Sequence, residues 1–472
     1  MVAAGAATRA ALQVAGPRPI LLDLAGGHRS GDDVIDRVDG LAAALSARGL
    51  AGRRIGVWYR NGLAAIEAFL AVEWIGATRV PVDPDAAPAE AVGVFDSAGC
   101  AGVLVDGEHV GAAPAGALVH DDEAPLRGSA TFQPVEVEAS RVLHLYPRMA
   151  AGGQLFGVPI SYGNWNATMR VNEALFRSGR YGQGFDGQNA CFLTAQQLMH
   201  GTGLIGSFPF LRMGLPQVLL PRFSADSVIE ACERHGVTAT FLVPGMLTRL
   251  VGKLVERRTP LPLRHVLYGG APIGAAEIRE AVAGLGPVLT QLYGRLEGGW
   301  PLAILDVEDH TAIAAGDDRR ASSCGRPVAE VDVRLRPIAG RPDGGELCVR
   351  SDMVVADYAD ADGWCALGDV AVLDEDYIYL RGRLDGMINT GSYHVYPAEI
   401  EQAISAVSGV HAVLVRGEPD PAWGQIVTAY IVPEQPDDDS LLPRVHTQLP
   451  ARLARYKLPK AIHLVTTLPG GS

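Results

Sequence analysis

Two glycine-containing strand ends are the first places in this chain where a ligand site is expected. The segment "RHVLYGG" is typical of a buried strand that ends at Gly269 and Gly270, and "PVLTQLYG" is typical of one that ends at Tyr293 and Gly294. In parallel sheets, ligands bind in crevices beside the carboxyl ends of the strands, where the loops converge. We therefore predict a binding site where these two ends meet.

Residues that could carry covalent or zinc chemistry are scarce. No Ser or Cys lies in a G-x-S-x-G-like elbow that would present a nucleophile. The cysteines are scattered without a C-x-x-C pair, a pattern that favours reduced, mostly buried thiols over a disulfide frame or a zinc site. They are Cys100, Cys191, Cys232, Cys324, Cys348 and Cys365.

Helices and strands alternate through most of the chain and would hold the two strand ends in place. The segment "GDDVIDRVDGLAAALSARGL" predicts a helix with Val34, Val38 and Leu41 on one face, and "RRIGVWY" predicts the strand that follows it. The same order returns in "SADSVIEACERHG" and "VTATFLVP". This rhythm indicates parallel sheets covered by helices. From roughly Glu330 onwards, short strands with turns favour an antiparallel sheet.

A charged, glycine-flanked connector runs from Leu380 to Glu401, "LRGRLDGMINTGSYHVYPAEIE". Pro397 followed by Glu399 and Glu401 is typical of a helix start, because the proline ring sets φ and the carboxylates face the positive end of the helix dipole. A block with the pattern of a folded unit lies on each side. The connector therefore fits a hinge, and an ordinary domain linker fits its spacing equally well.

The composition bounds the number of folded units, the partners and the compartment. A chain of 472 residues is long enough for more than one folded core. The 53 acidic residues against 40 basic ones give a formal charge of −13, which argues against nucleic acid or an anionic membrane as the main partner. Neither a signal-peptide pattern nor an apolar run long enough to span a bilayer is found. Together with the scattered cysteines, these features predict a cytoplasmic protein.

Further segments occur in an order that joins them into one family pattern. They are "GATRVPVDP", "LTAQQLMHGTGL", "YGGAPI", "QLYGRLEGG", "GGELCVRS", "GWCALGD" and "GRLDGMINTGSYHVYPAEIE". In this order they resemble the adenylate-forming superfamily, which includes acyl- and aryl-CoA ligases, the adenylation domains of peptide synthetases, and luciferases. The resemblance extends over nearly the whole chain.

The resemblance implies an α/β fold in two domains. A large N-terminal domain, residues 1–384, would hold mixed and parallel sheets covered by helices, together with a small β-barrel-like part. A small, mobile α+β domain, residues 385–472, would form a lid, with the hinge at Asp385. The connector would then be the pivot about which the lid turns between two half-reactions.

Roles for single residues follow from their positions in the matched segments. In the family's Y-G-x-T-E signature the Tyr stacks on adenine and the Glu ligates the magnesium ion of ATP, which assigns these roles to Tyr293 and Glu297. Asp369 would hold the ribose hydroxyls, and Arg383 would add a donor near the ribose or the phosphates. His200 would border the acyl pocket, or act as a general base.

Glycine-rich segments complete the site that the resemblance implies. The segment "YGGAPI" matches the one that flanks adenine and the substrate, which places Gly269, Gly270 and Ala271 there together with Gly294. Gly391 lies in the segment that, in the family, helps to bring a thiol to the acyl group. The implied cofactors are ATP or AMP with Mg²⁺, and the thiol of coenzyme A or phosphopantetheine.

The phosphate loop departs from the family pattern. The family has approximately T-S-G-T-T-G-x-P-K-G-V, and the matching stretch here is "RMAAGGQLFGV". Met149 stands at the Ser, Gly152 at a Thr and Phe156 at the Lys, which leaves Arg148 as the only cation beside the loop. Because losing one hydrogen bond to a charged group costs about 1.5–3 kcal/mol, we predict that adenylation is impaired.

Two smaller departures affect other parts of the implied site. Leu296 replaces the Thr of the signature segment. The family's C-terminal catalytic Lys would lie beyond Ser472, and Lys457 and Lys460 precede its segment without matching it.

Three functions therefore stand beside one another. The first is an acyl- or aryl-CoA ligase-like enzyme that forms a thioester from a carboxylic acid, with impaired adenylation. The second is an ATP-independent acyltransferase that moves an acyl group between CoA and the thiol of an acyl carrier protein. The third is a non-catalytic relative that binds a ligand or a partner protein. The predicted small-molecule partner is a carboxylic acid or its thioester.

Overall fold

The computed structural model describes most of the chain. Its described residues are 1–123, 125, 131–149, 155–182, 184–187, 189–257, 260–271, 273–338, 341–384, 386–391, 393–435, 438–466 and 468–469. The centre of the phosphate-loop segment and Asp385 lie outside these ranges. The predicted hinge and the exact domain boundary therefore stay predictions.

The helices follow the periodic segments of the sequence. They are α1 (Ala6–Ala15), α2 (Gly31–Ala47), α3 (Leu63–Trp74), α4 (Pro88–Ser97), α5 (Tyr162–Arg177), α6 (Gly201–Arg212), α7 (Ala225–His235), α8 (Pro244–Arg257), α9 (Ala275–Leu285), α10 (Val307–Ala314), α11 (Asp318–Ala321), α12 (Pro397–Ser405) and α13 (Leu441–Gln448). A capping box closes the start of α2, where the Ser30 hydroxyl accepts from the backbone N–H of Asp33 and the Asp33 carboxylate accepts from that of Ser30.

The strands are shorter and more numerous than the helices. They are β1 (Val2–Ala3), β2 (Pro19–Leu22), β3 (His28–Ser30), β4 (Arg54–Trp58), β5 (Thr78–Pro81), β6 (Gly102–Val105), β7 (Leu118–Val119), β8 (Glu136–Val137), β9 (Val142–Met149), β10 (Leu155–Ser161), β11 (Phe192–Thr194), β12 (Gln217–Leu219), β13 (Ala239–Leu242), β14 (His265–Gly269), β15 (Leu289–Arg295), β16 (Gly299–Leu305), β17 (Arg326–Pro327), β18 (Asp332–Ile338), β19 (Arg341–Arg350), β20 (Cys365–Asp374), β21 (Tyr377–Arg383), β22 (Ile388–Thr390), β23 (Tyr393–Val395), β24 (Val410–Asp420), β25 (Gly424–Pro433) and β26 (Ala461–Leu464).

Two large sheets form the N-terminal part, as the alternating pattern predicts. One has the strand order β10-β9-β5-β4-β6-β7 and the other has β17-β16-β15-β14-β13-β11-β12-β2-β3. The centre of the second sheet is parallel, because β13, β14 and β15 all pair in the same direction. Consequently the carboxyl ends of β14 and β15 lie at one edge, where the sequence predicts a ligand site.

The largest hydrophobic core joins these two sheets through the helices between them. Every residue of α3 is buried, which explains why this helix is apolar around most of its circumference. Both carboxylates of α3 have a cationic partner. Glu67 accepts from Arg37 Nε at 2.6 Å, and Glu73 lies 3.7 Å from Arg79. The same core includes residues of α5 and α6.

The β-rich part that follows is a four-stranded antiparallel sheet in the order β18-β19-β20-β21. It brings Asp369 on β20 directly opposite Arg383 on β21. The antiparallel sheet expected after Glu330 is therefore confirmed. Its strands of 7 to 10 residues are longer than predicted, and antiparallel pairing already occurs where β16 pairs with β15.

A separate small unit begins after this sheet. Strands β23, β22, β25 and β24 form a sheet in that order, β26 adds to β25 in parallel, and α12 and α13 belong to the same unit. The unit has its own apolar core, which includes Ile400, Ile404 and Val445. The α/β fold with a large N-terminal part and a small C-terminal part is thus confirmed.

All six cysteines are free thiols, and all except Cys100 are buried, in line with the expectation from their spacing. A search of the described helices finds none that is both long enough and apolar enough to cross a bilayer.

Candidate functional site

A cavity of about 570 Å³ lies between the large part and the small unit. One wall is formed by the carboxyl ends of β14 and β15, where Gly270, Tyr293 and Gly294 line it. The opposite wall belongs to the small unit, with Tyr393 and Tyr456 among its lining residues. The predicted crevice therefore exists, and the small unit forms part of its wall.

His200 is the N-cap residue of α6, and it lines the cavity. Its Nε2 atom is buried and has no hydrogen-bond partner among the residues that the structure describes. The ring of Tyr393 meets it edge to face, with 5.0 Å between the ring centroids and 83° between the planes. Burial lowers the pKa of His200 to about 4, so that the imidazole is neutral at physiological pH.

The low pKa of His200 predicts a measurable acid sensitivity. Between an unfolded pKa of about 6.5 and the folded pKa of about 4, the unfolded chain binds a proton at this imidazole that the folded chain does not. Stability is therefore lost as the pH falls through this window. We expect the melting temperature of His200→Phe to fall less than that of the wild type across it. The exposed His411, changed to Phe, is the matched control, and equal acid sensitivity of His200→Phe and wild type would contradict the assigned pKa.

Tyr293, Asp369 and Arg383 form a connected polar cluster beside the cavity. The Tyr293 hydroxyl donates to Asp369 Oδ2 at 2.6 Å, and Arg383 Nη1 donates to Asp369 Oδ1 at 2.6 Å. Burial, followed by the charge of Asp369, raises the pKa of Tyr293 well above its ordinary value, so that the phenol keeps its proton. The structure thus brings together three residues that are far apart in the sequence.

Arg295 is a member of this cluster that was not singled out from the sequence. Its side chain is buried, and Nε lies 3.7 Å from Glu297 Oε2 and 4.0 Å from Asp369 Oδ2. A charged residue two positions after Tyr293 was the available signal, but the pairing of β15 with β16 is irregular between Tyr293 and Arg295. The burial of Arg295 could not be deduced from local spacing.

The cluster fits the nucleoside part of a nucleotide. The two oxygens of a carboxylate offer about four lone-pair sites, so Asp369 can accept from a ribose diol in addition to Tyr293 and Arg383. The stacking role of Tyr293 and the roles of Asp369 and Arg383 stay predictions. When bound, ATP would supply the activated leaving group for a carboxylic acid.

Glu297, the predicted magnesium ligand, is buried beside Arg295. Within the described ranges, no group of three or more His, Cys, Asp or Glu side chains is arranged to hold a metal ion. Mg²⁺ is commonly bound by one carboxylate and the phosphates of a nucleotide, so such a group is not required for it. The assignment of Glu297 stays a prediction.

The predicted glycine positions differ in their surroundings. A side chain at Gly269 would meet the Leu292 carbonyl oxygen at 2.3 Å, so this glycine allows the close pairing of β14 with β15. Gly270 has a φ of +87° and lines the cavity, and Ala271 follows it at a half-buried position. Gly391 has a φ of +64°, donates to the Trp423 carbonyl and is not among the residues that line the cavity.

Comparisons with known proteins agree with this arrangement. The model of the AMP-binding enzyme family matches residues 9–144 and 153–359, and that of the AMP-binding enzyme C-terminal domain matches residues 399–470. Feruloyl-CoA synthase of Amycolatopsis sp is 31% identical over 92% of this chain and 89% of its own length. The medium/long-chain-fatty-acid–CoA ligase FadD8 of Mycobacterium tuberculosis is 30% identical over 60% of this chain, and the match spans only 52% of that ligase.

A solved structure shares the whole architecture. The amide bond synthetase McbA from Marinactinospora thermotolerans is 26% identical, with a TM-score of 0.85 over 98% of this chain and 96% of that one. The match therefore includes both the large part and the small unit. On the family match, which extends over far more than half of the residues, this chain belongs to the AMP-binding enzyme family of the adenylate-forming superfamily.

Proposed function

We propose that this chain forms a thioester from a carboxylic acid and the thiol of coenzyme A or of phosphopantetheine, with a slow adenylation step. The observation that supports this reaction is one cavity lined both by the strand ends of the large part and by the small unit. An acyl group could bind at one end of such a cavity, and the thiol acceptor could enter at the other end. The feruloyl-CoA synthase to which the chain is similar joins an acid to coenzyme A, which supports the same reaction class here.

The acyl end of the cavity is apolar. Ile205, Phe241, Leu292 and Leu296 line it near His200. These side chains favour the hydrocarbon part of an acid over a second charge, because burying an unpaired carboxylate would be costly. The acid is therefore proposed to carry its only charge at the reacting carboxyl.

The acceptor end is lined on both sides by several small residues. Ala89 and Gly93 come from α4 of the large part, and Ala403 and Ala406 come from the small unit. Small side chains on two facing elements leave space for a slender arm such as pantetheine. This lining supports a thiol acceptor that enters between the two units.

His200 is proposed to shape the junction of the two ends rather than to act as the base. In the transfer step the thiol sulfur forms a bond to the acyl carbon while AMP leaves with the electrons of its C–O bond. The thiol must also lose its proton, which goes to solvent, and a free thiol has a pKa of about 8.5. An imidazole with a pKa of about 4 is a weak acceptor for such a proton. Its edge-to-face contact with Tyr393 is consistent with a positioning role.

The slow adenylation step rests on the phosphate-loop sequence. Met149, Gly152 and Phe156 stand where the family has Ser, Thr and Lys, and the family match is interrupted at residues 145–152. The same observation favours a second candidate, in which the acyl group arrives as a thioester and ATP is not used. That candidate needs the proximity that the cavity provides and no phosphate ligands.

The test is to incubate the protein with aryl and fatty acids, ATP, Mg²⁺ and CoA, and to measure acyl-CoA by mass spectrometry. In parallel, acyl-CoA is incubated with a holo carrier protein without ATP. Thioester only in the first assay supports the ligase, and transfer only in the second supports the acyltransferase. No product in either assay would overturn both and leave a ligand-binding relative. An amine added in place of CoA tests the reaction named for McbA.

A further inference from the structure

A buried ion triad joins the two units beside the cavity. Lys457 Nζ of the small unit donates to Glu90 Oε1 at 2.7 Å and to Glu399 Oε1 at 2.7 Å. Glu90 lies in the first turn of α4 in the large part, whereas Glu399 lies in the first turn of α12 in the small unit. The three side chains are only 11% to 14% exposed, so that solvent screens their attraction weakly.

Only one of the two carboxylates in this triad links the small unit to the large part. Lys457 and Glu399 belong to the same unit and stay together wherever that unit moves. Glu90 is the partner that reaches across, so only the Lys457–Glu90 contact depends on how the units are placed. All three residues line the cavity.

A chain of aromatic contacts connects the triad to His200, where the acyl and acceptor ends of the cavity are proposed to meet. Tyr456, next to Lys457, stacks on Tyr393 with ring centroids 4.1 Å apart and an interplanar angle of 19°. Tyr393 in turn meets His200 of the large part. Fixing Lys457 against Glu90 therefore fixes the aromatic contact that forms the junction.

We propose that the Glu90–Lys457 contact is a clamp that positions the small unit for acyl transfer to the acceptor. Glu90 and Lys457 are positioning residues in this role, since they act through Tyr456, Tyr393 and His200. The effect of this clamp on the rate of acyl transfer rests on the proposed function. The effect of Glu90 on the placement of the small unit concerns the free protein and does not depend on that function.

Three variants of the full-length chain test the clamp. Glu90→Gln removes the negative charge from the contact across the units, which leaves only a weaker hydrogen bond to the amide oxygen, and keeps the Lys457–Glu399 pair intact. Lys457→Arg keeps a cation that can reach both carboxylates. Asp96→Asn removes an exposed charge from the same helix α4 and is the matched control.

The first readout is hydrogen–deuterium exchange of the free proteins. We expect faster exchange in α12 and in the segment around Tyr456 for Glu90→Gln, and wild-type exchange for Lys457→Arg and Asp96→Asn. Unchanged exchange in Glu90→Gln would overturn the clamp, even where no acid has yielded a product.

The second readout is the kcat for transfer from a preformed acyl-adenylate to the thiol. A charged hydrogen bond of this kind corresponds to about a tenfold effect, so we expect kcat of Glu90→Gln to fall about tenfold, with Lys457→Arg close to wild type. Binding of the nucleotide, whose predicted ligands Tyr293 and Asp369 lie in the large part, should not change. An equal fall in nucleotide affinity, or an unchanged kcat, would overturn the positioning role. Failure of the wild type to form any thioester would overturn the proposed function, and the exchange experiment would still decide the clamp.

Discussion

Replacing Asp369 by Asn is expected to abolish measurable nucleotide binding and to destabilise the fold. The carboxylate accepts from Tyr293 and Arg383, and Arg295 lies 4.0 Å away. A neutral amide would weaken the charged hydrogen bond from Arg383 and remove one of the two carboxylates near Arg295, where Glu297 would remain at 3.7 Å. Losing one charged hydrogen bond costs about 1.5–3 kcal/mol in unfolding free energy. It would also offer one acceptor oxygen in place of two for a ribose diol, so we expect AMP affinity to fall about 100-fold or more.

Calorimetric titration with AMP and denaturant unfolding measure the two effects separately. The control is Asp374→Asn on the same strand β20, because Asp374 pairs with Arg319 at the surface and its side chain is 42% exposed. We expect little change in either quantity for the control. If Asp369→Asn binds AMP as tightly as the wild type, the nucleotide does not use this cluster.

Restoring the phosphate loop is expected to strengthen ATP binding about 100-fold. The double variant Phe156→Lys with Gly152→Thr returns one cation and one hydroxyl to positions at which the family holds the phosphates. Each hydrogen bond to a charged group corresponds to about 1.5–3 kcal/mol, or roughly tenfold to a hundredfold in affinity. The gain should appear for ATP and be small for AMP, because the restored groups address the outer phosphates. Binding of both nucleotides is measured by titration.

A second variant separates added charge from the removal of a large ring. Phe156→Leu with Gly152→Thr removes the aromatic side chain and adds no cation. We expect this variant to gain less ATP affinity than the variant with Lys. Equal ATP affinity in the wild type and the restored loop would show that the alignment of "RMAAGGQLFGV" with the phosphate loop is wrong.

The fold was largely predictable because most of its helices and strands are indicated by the pattern of apolar residues within the element itself. The helix α2 and the strand β4 lie where their apolar periodicity places them, and α12 begins at Pro397, where the proline and the following Glu residues predict a helix start. The antiparallel sheet after Glu330 also follows from the turns between its strands, whereas the length of these strands was not predicted. These features depend on neighbours within a few residues of one another.

The candidate site was predictable only in part, because its contacts join distant segments. The strand ends at Gly270 and Tyr293 could be located from the βαβ pattern. By contrast, Lys457 meets Glu90 across 367 positions of sequence. A lysine whose partners lie so far away in the sequence has no local signal. The contact of Tyr393 with His200 depends on the same placement of the small unit.

The cavity between the two units is proposed to support transfer to a thiol while adenylation is slow. The most direct test compares two routes to the same acyl-CoA in the wild-type protein: a preformed acyl-adenylate with CoA, and the free acid with ATP, Mg²⁺ and CoA. If the phosphate loop has lost several ligands, the route from the adenylate should be faster by about 100-fold or more. Equal rates by the two routes would contradict the account, because adenylation would then be no slower than transfer.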